Sequence, residues 1–224
     1  PMLFKKKDNK PVFVCIHGFG VRKAVEFAPL TRYLNERGYE VIIPELFDIN
    51  DPTDNDWTHW IARAKSALQK ATVENEHVVL IGFSMGGIIA SYLATIFKVD
   101  KLILMAPAYE YMNTDNVTNQ VVKTFYRKPS AMPDSFVDTF RTIVDQFRDC
   151  VEKLTVDTLI LHCEDDEVIH LSSSRKMVTK MTCPHLLITF EKGQHRMLDD
   201  ELTSSAVIVN IFAFALGLTQ LKKG

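Results

Sequence analysis

Val78-Val79-Leu80-Ile81-Gly82-Phe83-Ser84-Met85-Gly86-Gly87 is the stretch from which the fold can be read. Its first half is an apolar run of strand length without polar alternation, as in a strand covered on both faces. Its second half carries Gly-x-Ser-x-Gly and leads through Ile89 and Leu93 to Phe97 at helical spacing. A strand that turns sharply through glycines into a helix exposes the hydroxyl of the residue at the turn, here Ser84.

Outward from this point the same alternation fills the chain. Val12 to Ile16, Tyr39 to Ile43, Lys101 to Met105, Val156 to Leu161 and His185 to Phe190 are further short apolar runs. Helical periodicity lies between them. Leu30, Tyr33 and Leu34 mark one helix, closed by Gly38. Trp57, Trp60, Ile61, Ala64 and Leu68 mark another, with Asp54 and Asp56 as capping candidates. Phe136, Phe140, Ile143, Val144, Phe147 and Val151 mark a longer one, and Leu171 to Lys180 and Leu202 to Leu216 complete the set. Alternation of this kind predicts an α/β class fold: a doubly wound, mostly parallel sheet of about six strands, with ligands at the carboxyl ends of the strands.

The interval from Met105 to Val156 is far longer than a crossover needs. We expect residues 107–150 to form a small cap inserted after the fourth strand, with an apolar underside supplied by Tyr109, Tyr111, Met112, Phe125, Tyr126 and Met132. With 224 residues, 46% of them apolar, residues 1–224 are expected to form a single domain.

Lys plus Arg number 26 against 28 Asp plus Glu, so the chain supplies no basic field for nucleic acid or an anionic membrane. Cys15, Cys150, Cys163 and Cys183 are widely spaced and form no metal-type or redox pair, which suggests small buried side chains in a reducing compartment. Pro1 to Lys10 is polar and lysine-rich, and Ala206 to Leu218 is shorter than the roughly 20 residues of a membrane span. The expectation is a cytoplasmic protein without stable membrane insertion. In the terminal helix, Ile208, Ile211, Phe212 and Ala215 share one face, and Val207, Phe214 and Leu218 widen it as extra core or as the surface of a homodimer.

Five of the nine glycines fall in two places, His17-Gly18-Phe19-Gly20 and Gly82 to Gly87, each at the carboxyl end of an expected strand. The helix after Ser84 points its amino terminus at the site, which favours developing negative charge. A serine hydroxyl needs a base, and the base needs an orienting acid. His195 follows the last strand in Lys192-Gly193-Gln194-His195 and is the best base. His162 reads as a core or near-core residue, His17 belongs to the glycine turn, and His185 opens a strand, leaving His59 and His77 for the surface. The acid comes from Glu164-Asp165-Asp166-Glu167. Asp166, preceding Val168-Ile169, is the choice and Asp165 the runner-up. A solvated acidic loop, or a metal site with His162, Cys163 and His170, are the competing readings of this segment.

Taken together, His17-Gly18-Phe19-Gly20, Gly82-Phe83-Ser84-Met85-Gly86-Gly87, Leu104-Met105-Ala106-Pro107, Asp165-Asp166-Glu167-Val168-Ile169 and Gly193-Gln194-His195 resemble the α/β-hydrolase superfamily, and within it small bacterial carboxylesterases and monoglyceride-lipase-like serine hydrolases. The resemblance implies Ser84 as nucleophile, Asp166 as acid and His195 as base. It also implies an oxyanion hole from the backbone N–H groups of Phe19 and Met85, and no cofactor or metal. Phe19, Tyr109, Tyr111, Met112 and Phe125 are the substrate-binding candidates. The expected activity is cleavage of esters through an acyl-serine, with short-to-medium acyl chains because a small cap can roof a pocket but hardly a long tunnel, by a monomer or homodimer acting on a small molecule. Thioester, lactone or peptide cleavage and non-catalytic ligand binding are alternatives. Serine at the turn argues against the branches that use aspartate there, the haloalkane dehalogenases and epoxide hydrolases. The sequence departs from the family at Cys163, commonly glycine, at Asp157, often proline, and at His170, where a proline often stands.

Overall fold

Six strands, all parallel, form one sheet: β1 (Val12–Ile16), β2 (Val41–Ile42), β3 (Val78–Phe83), β4 (Lys101–Met105), β5 (Thr158–Cys163) and β6 (His185–Phe190), in the spatial order β2-β1-β3-β4-β5-β6. In this computed structural model the described residues are 10–110, 133–219 and 221. Tyr111, Met112 and Phe125 therefore lie outside the described residues.

Period-2 alternation assigns the strand side chains to two cores. Val14, Ile16, Leu80, Leu102, Leu104 and Ile160 face α2 (Trp57–Glu74), α3 (Met85–Ala94), α4 (Asp134–Phe147) and α5 (Leu171–Val178). Phe13, Cys15, Val79, Ile81, Ile103 and Leu159 face α1 (Ala28–Asn35) and α6 (Glu201–Ala215) on the other side. Strands buried on both faces explain why the apolar runs show no polar alternation. The sheet is doubly wound and parallel throughout, as the alternation predicts.

Some boundaries move for local reasons. Only Val41 and Ile42 of the expected second strand pair with β1. Pro44 has no N–H for a ladder and restricts Ile43 before it. β5 is displaced to Thr158–Cys163, so that the buried His162 belongs to the sheet. α2 is capped by Asp56, whose carboxylate accepts the Thr58 N–H at 2.8 Å. In α6, Val207 and Phe214 do join the core with Ile208 and Ile211, whereas Leu218 lies beyond the helix end and is 73% exposed. The expected fourth helix gives way after Phe147 to a 3-10 turn, Arg148–Lys153.

Chain order and spatial order place the site. From β1 the chain runs outward to β2 and then returns to β3 on β1's other side, so the connections diverge between β1 and β3 and leave a crevice at their carboxyl ends. Ile16 pairs with Gly82, which sets the two glycine turns side by side. Beside them, Phe19 stacks on Phe140 of α4 with centroids 5.2 Å apart, and Phe47, Trp60 and Phe136 complete an aromatic cluster. Among the described residues no helix is long and apolar enough to cross a membrane.

Candidate active site

Ser84 sits between β3 and α3 with φ +54° and ψ −119°, a conformation that costs a side-chain-bearing residue on the order of 1–3 kcal/mol. The glycines around it are required by space. A Cβ on Gly82 would stand 2.3 Å from the Gly86 carbonyl oxygen, and one on Gly86 would stand 2.0 Å from that of Ile16. The Ser84 N–H donates to the Met105 carbonyl at 2.9 Å, which ties the turn to β4. Met85 is the first residue of α3, so its N–H has no partner within the helix.

The acidic run after β5 divides its work around the histidine loop. Asp165 accepts the Gln194 N–H at 2.9 Å and Glu167 accepts the His195 N–H at 3.1 Å. Asp166 accepts His195 Nδ1–H at 2.8 Å, and its other oxygen accepts the N–H groups of Val168 and Ile169. These bonds hold a loop in which Gly193 and Gln194 both have positive φ. A Cβ on Gly193 would stand 2.6 Å from Thr203 Cγ2 and 2.9 Å from Cys163 Sγ, so the loop passes too close to α6 and β5 for a side chain here. The imidazole of His195 is fully buried and packs on the ring of Phe83, 4.9 Å between centroids, immediately before Ser84.

Burial alone would raise the Asp166 pKa, but the His195 and His162 imidazoles outweigh it and hold the carboxyl well below the usual carboxylate range. His162 Nε2 lies 3.2 Å from Asp166 Oδ2 and 2.7 Å from the Ile169 carbonyl, while its Nδ1 is bonded to Ser174 Oγ at 2.8 Å. The core reading of His162 is right as to burial and incomplete as to contact. Its place four residues before Asp166 was the available signal. With His170 capping α5 instead, the alternative metal set does not form, and among the described residues no group of three or more His, Cys, Asp or Glu is placed to hold an ion.

Two side chains that bond the first glycine turn are less legible in sequence. His17 is fully buried, and its Nε2 accepts the Leu46 N–H at 3.1 Å. The neutral ring therefore carries its proton on Nδ1, which donates to the Gly18 carbonyl at 2.8 Å. That carbonyl and the Phe19 N–H belong to one planar trans peptide and point in opposite directions. His17 thus sets where the Phe19 N–H points. On the other side of Gly18, its own N–H donates to Glu26 Oε2 at 3.0 Å.

Burial pushes the His17 pKa down to about 4. Since its ordinary value is near 6.5, the unfolded chain takes up the proton first as pH falls. The His17 contribution to stability is complete above pH 6.5 and is lost as pH falls toward 4. Denaturant unfolding at pH 7 and pH 4.5 should show a loss of about 2–3 kcal/mol from this group. His17→Asn should flatten the dependence in this window, and an unchanged slope would contradict the assignment.

Tyr109 is 4% exposed and its hydroxyl is bonded to Ser91 on α3. It lines a cleft with Glu110, Arg148, Ser173 and Lys176. Phe19, 3% exposed, presents its ring to the aromatic cluster. The three family departures are accommodated: Asp157 pairs with Lys101 at 2.6 Å, His170 accepts the Ser172 N–H at 3.3 Å, and Cys163 is buried in the second core. All four cysteines are free, and burial raises the pKa of each thiol.

A strained serine at the switch point of a parallel sheet, with an aspartate-bound histidine over the preceding residue, is the layout of a hydrolase fold. The chain belongs to the alpha/beta hydrolase family, whose model matches residues 13–204. It is 28% identical over 143 residues to a provisionally named esterase/lipase 2 of Mycoplasma genitalium, covering 60% of this chain and 52% of that protein. A provisionally named esterase/lipase 3 of Mycoplasma pneumoniae is 32% identical over 128 residues, covering 55% and 45%. The chain thus spans about half the length of the curated relatives it matches. Among solved structures, one from work on the metagenome-derived lipolytic enzymes LipS and LipT superposes with a TM-score of 0.77 at 16% identity, covering 93% of this chain and 95% of that one. A monoacylglycerol lipase of Paleococcus ferrophilus superposes with a TM-score of 0.71 at 13% identity, covering 94% and 97%. At these identities the likeness is one of fold.

Proposed function

We propose that the protein is a serine carboxylesterase that cleaves esters of short-to-medium acyl chains through an acyl-Ser84 intermediate. The observation that carries this reading is the Asp166–His195 hydrogen bond of 2.8 Å beside the strained Ser84 turn. Because Nδ1 of His195 donates to Asp166, the neutral ring has its lone pair on Nε2, the atom a general base uses. Ser84 Oγ attacks the ester carbonyl and His195 Nε2 takes its proton. The Phe19 and Met85 N–H groups receive the oxyanion, aided by the amino terminus of α3. Collapse expels the alcohol, which takes the proton from His195. Water then enters, gives a proton to His195, attacks the acyl carbon and releases Ser84 with its proton restored.

In this reading the insertion after β4 supplies a small cap, and Phe19 at the first glycine turn borders the acyl group. A small cap roofs a pocket but not a long tunnel, so short chains are favoured. Four free cysteines, of which Cys15, Cys163 and Cys183 are buried and Cys150 is half-buried, support a reducing, cytoplasmic setting. The test is the p-nitrophenyl ester series from acetate to palmitate, below micelle formation, with fluorophosphonate labelling of Ser84. We expect kcat/KM to climb about fourfold per methylene, about 0.8 kcal/mol each, over the first few carbons and then to fall. A steady climb to palmitate would overturn the short-acyl assignment. No turnover, with Ser84 unlabelled, would overturn the hydrolase reading and favour a binding protein.

A further inference from the structure

Glu26 lies on the short 3-10 turn Lys23–Phe27 after the first glycine turn, 7% exposed. Oε2 accepts the Gly18 N–H, while Oε1 is buried with no hydrogen-bond partner among the described residues. A carboxyl buried in this half-satisfied way is costly, and an anchor for one N–H does not require a charge. Its position is informative. A Cβ built on Gly18 would stand 3.3 Å from Glu26 Oε2 and 3.2 Å from Ser84 Cβ, so the carboxyl and the serine flank the same glycine.

We infer that Glu26 is a positioning residue of the ester-cleaving site: it holds the Gly18 amide, and with it the turn that aims the Phe19 N–H at the oxyanion. This inference rests on the Ser84 hydrolase reading above. His17 anchors the Gly18 carbonyl and Glu26 the Gly18 N–H, so the two peptides flanking Gly18 are fixed from opposite sides. The titratable and charged groups around Glu26 are Arg22, at the start of its own turn, and His195 and Arg196 on the loop after β6. Arg22 is paired with Asp199, which lines the same cavity as Glu26, Phe83 and Arg196. Burial raises the Glu26 pKa, and the Gly18 N–H, His195, Arg196 and Arg22 oppose that rise.

The test compares wild type, Glu26→Ala, Glu26→Gln and Glu26→Asp on p-nitrophenyl butyrate, with kcat expressed per site titrated by fluorophosphonate. Loosening one oxyanion donor should lower kcat of Glu26→Ala about 10–100-fold with KM within about twofold, because the interaction is realised in the transition state. The Gln amide oxygen can accept the same N–H. Glu26→Gln should therefore stay within about fivefold of wild type and restore most of the kcat lost in Glu26→Ala. Should Glu26→Ala fail to fold, Glu26→Asp, too short to keep the Gly18 bond, should show the same kcat loss. A Glu26→Ala variant, or Glu26→Asp where that one does not fold, that matches wild type in kcat would overturn this inference alone. An inactive wild type with Ser84 unlabelled would overturn it together with the hydrolase reading.

Discussion

Ser84→Ala is expected to lower ester turnover by a factor on the order of 10⁴ or more while leaving the fold in place, because it removes the atom that would form the acyl intermediate. The Ser84 backbone N–H bond to Met105 survives the change. Alanine bears the same strain as serine at φ +54°, since the clash comes from Cβ. Ser84→Gly should relieve it and unfold at a higher denaturant concentration than Ser84→Ala, by about 1 kcal/mol. Turnover of p-nitrophenyl butyrate and denaturant midpoints read both effects. An alanine variant with near wild-type turnover would remove Ser84 from the mechanism.

Asp166→Asn should cost on the order of 10³–10⁴ in kcat, against less than about fivefold for Asp165→Asn. The difference lies in which nitrogen carries the histidine proton. Asp166 Oδ2 accepts from His195 Nδ1. An amide NH₂ there would donate instead, driving the imidazole proton to Nε2 and leaving no lone pair for the serine proton. Asp165 accepts only a backbone N–H, that of Gln194, and an asparagine oxygen can accept it equally. Steady-state rates of the two variants, with far-ultraviolet circular dichroism to confirm the fold, decide the matter. Equal losses would mean that the loop as a whole, rather than the imidazole tautomer, carries the effect.

The parts of the site that could be read in sequence are those whose chemistry is local. Gly82, Ser84 and Gly86 lie within five residues, and their turn follows from a strand, a helix and the space between them. The six strands were legible for a similar reason. A strand buried on both faces, as β1, β3, β4 and β5 are, must be apolar throughout, and only β2, cut short before Pro44, and β5, displaced by two residues, departed from their runs. The boundary of α4 was less legible because Arg148–Lys153 prolongs the apolar pattern in 3-10 geometry.

Choosing among neighbouring carboxylates needed the tertiary structure. Glu164, Asp165, Asp166 and Glu167 are alike as residue types, and what separates them is the direction in which each points after β5. Glu164 meets Thr189, Asp165 and Glu167 meet backbone N–H groups, and Asp166 meets an imidazole 29 positions away. The same holds for the two side chains that fix the first glycine turn. In sequence Glu26 is one acidic residue at the start of a helical segment and His17 one histidine in a loop; their roles depend on a bond to Gly18 across eight positions and one to Leu46 across 29. The sequence by itself determined the α/β alternation, the serine turn and the histidine loop, because hydrophobic period and backbone sterics act over a few residues. Only the folded chain decided which carboxylate holds which group and which buried charges face the site, because burial and hydrogen-bond direction are properties of segments brought together from far apart.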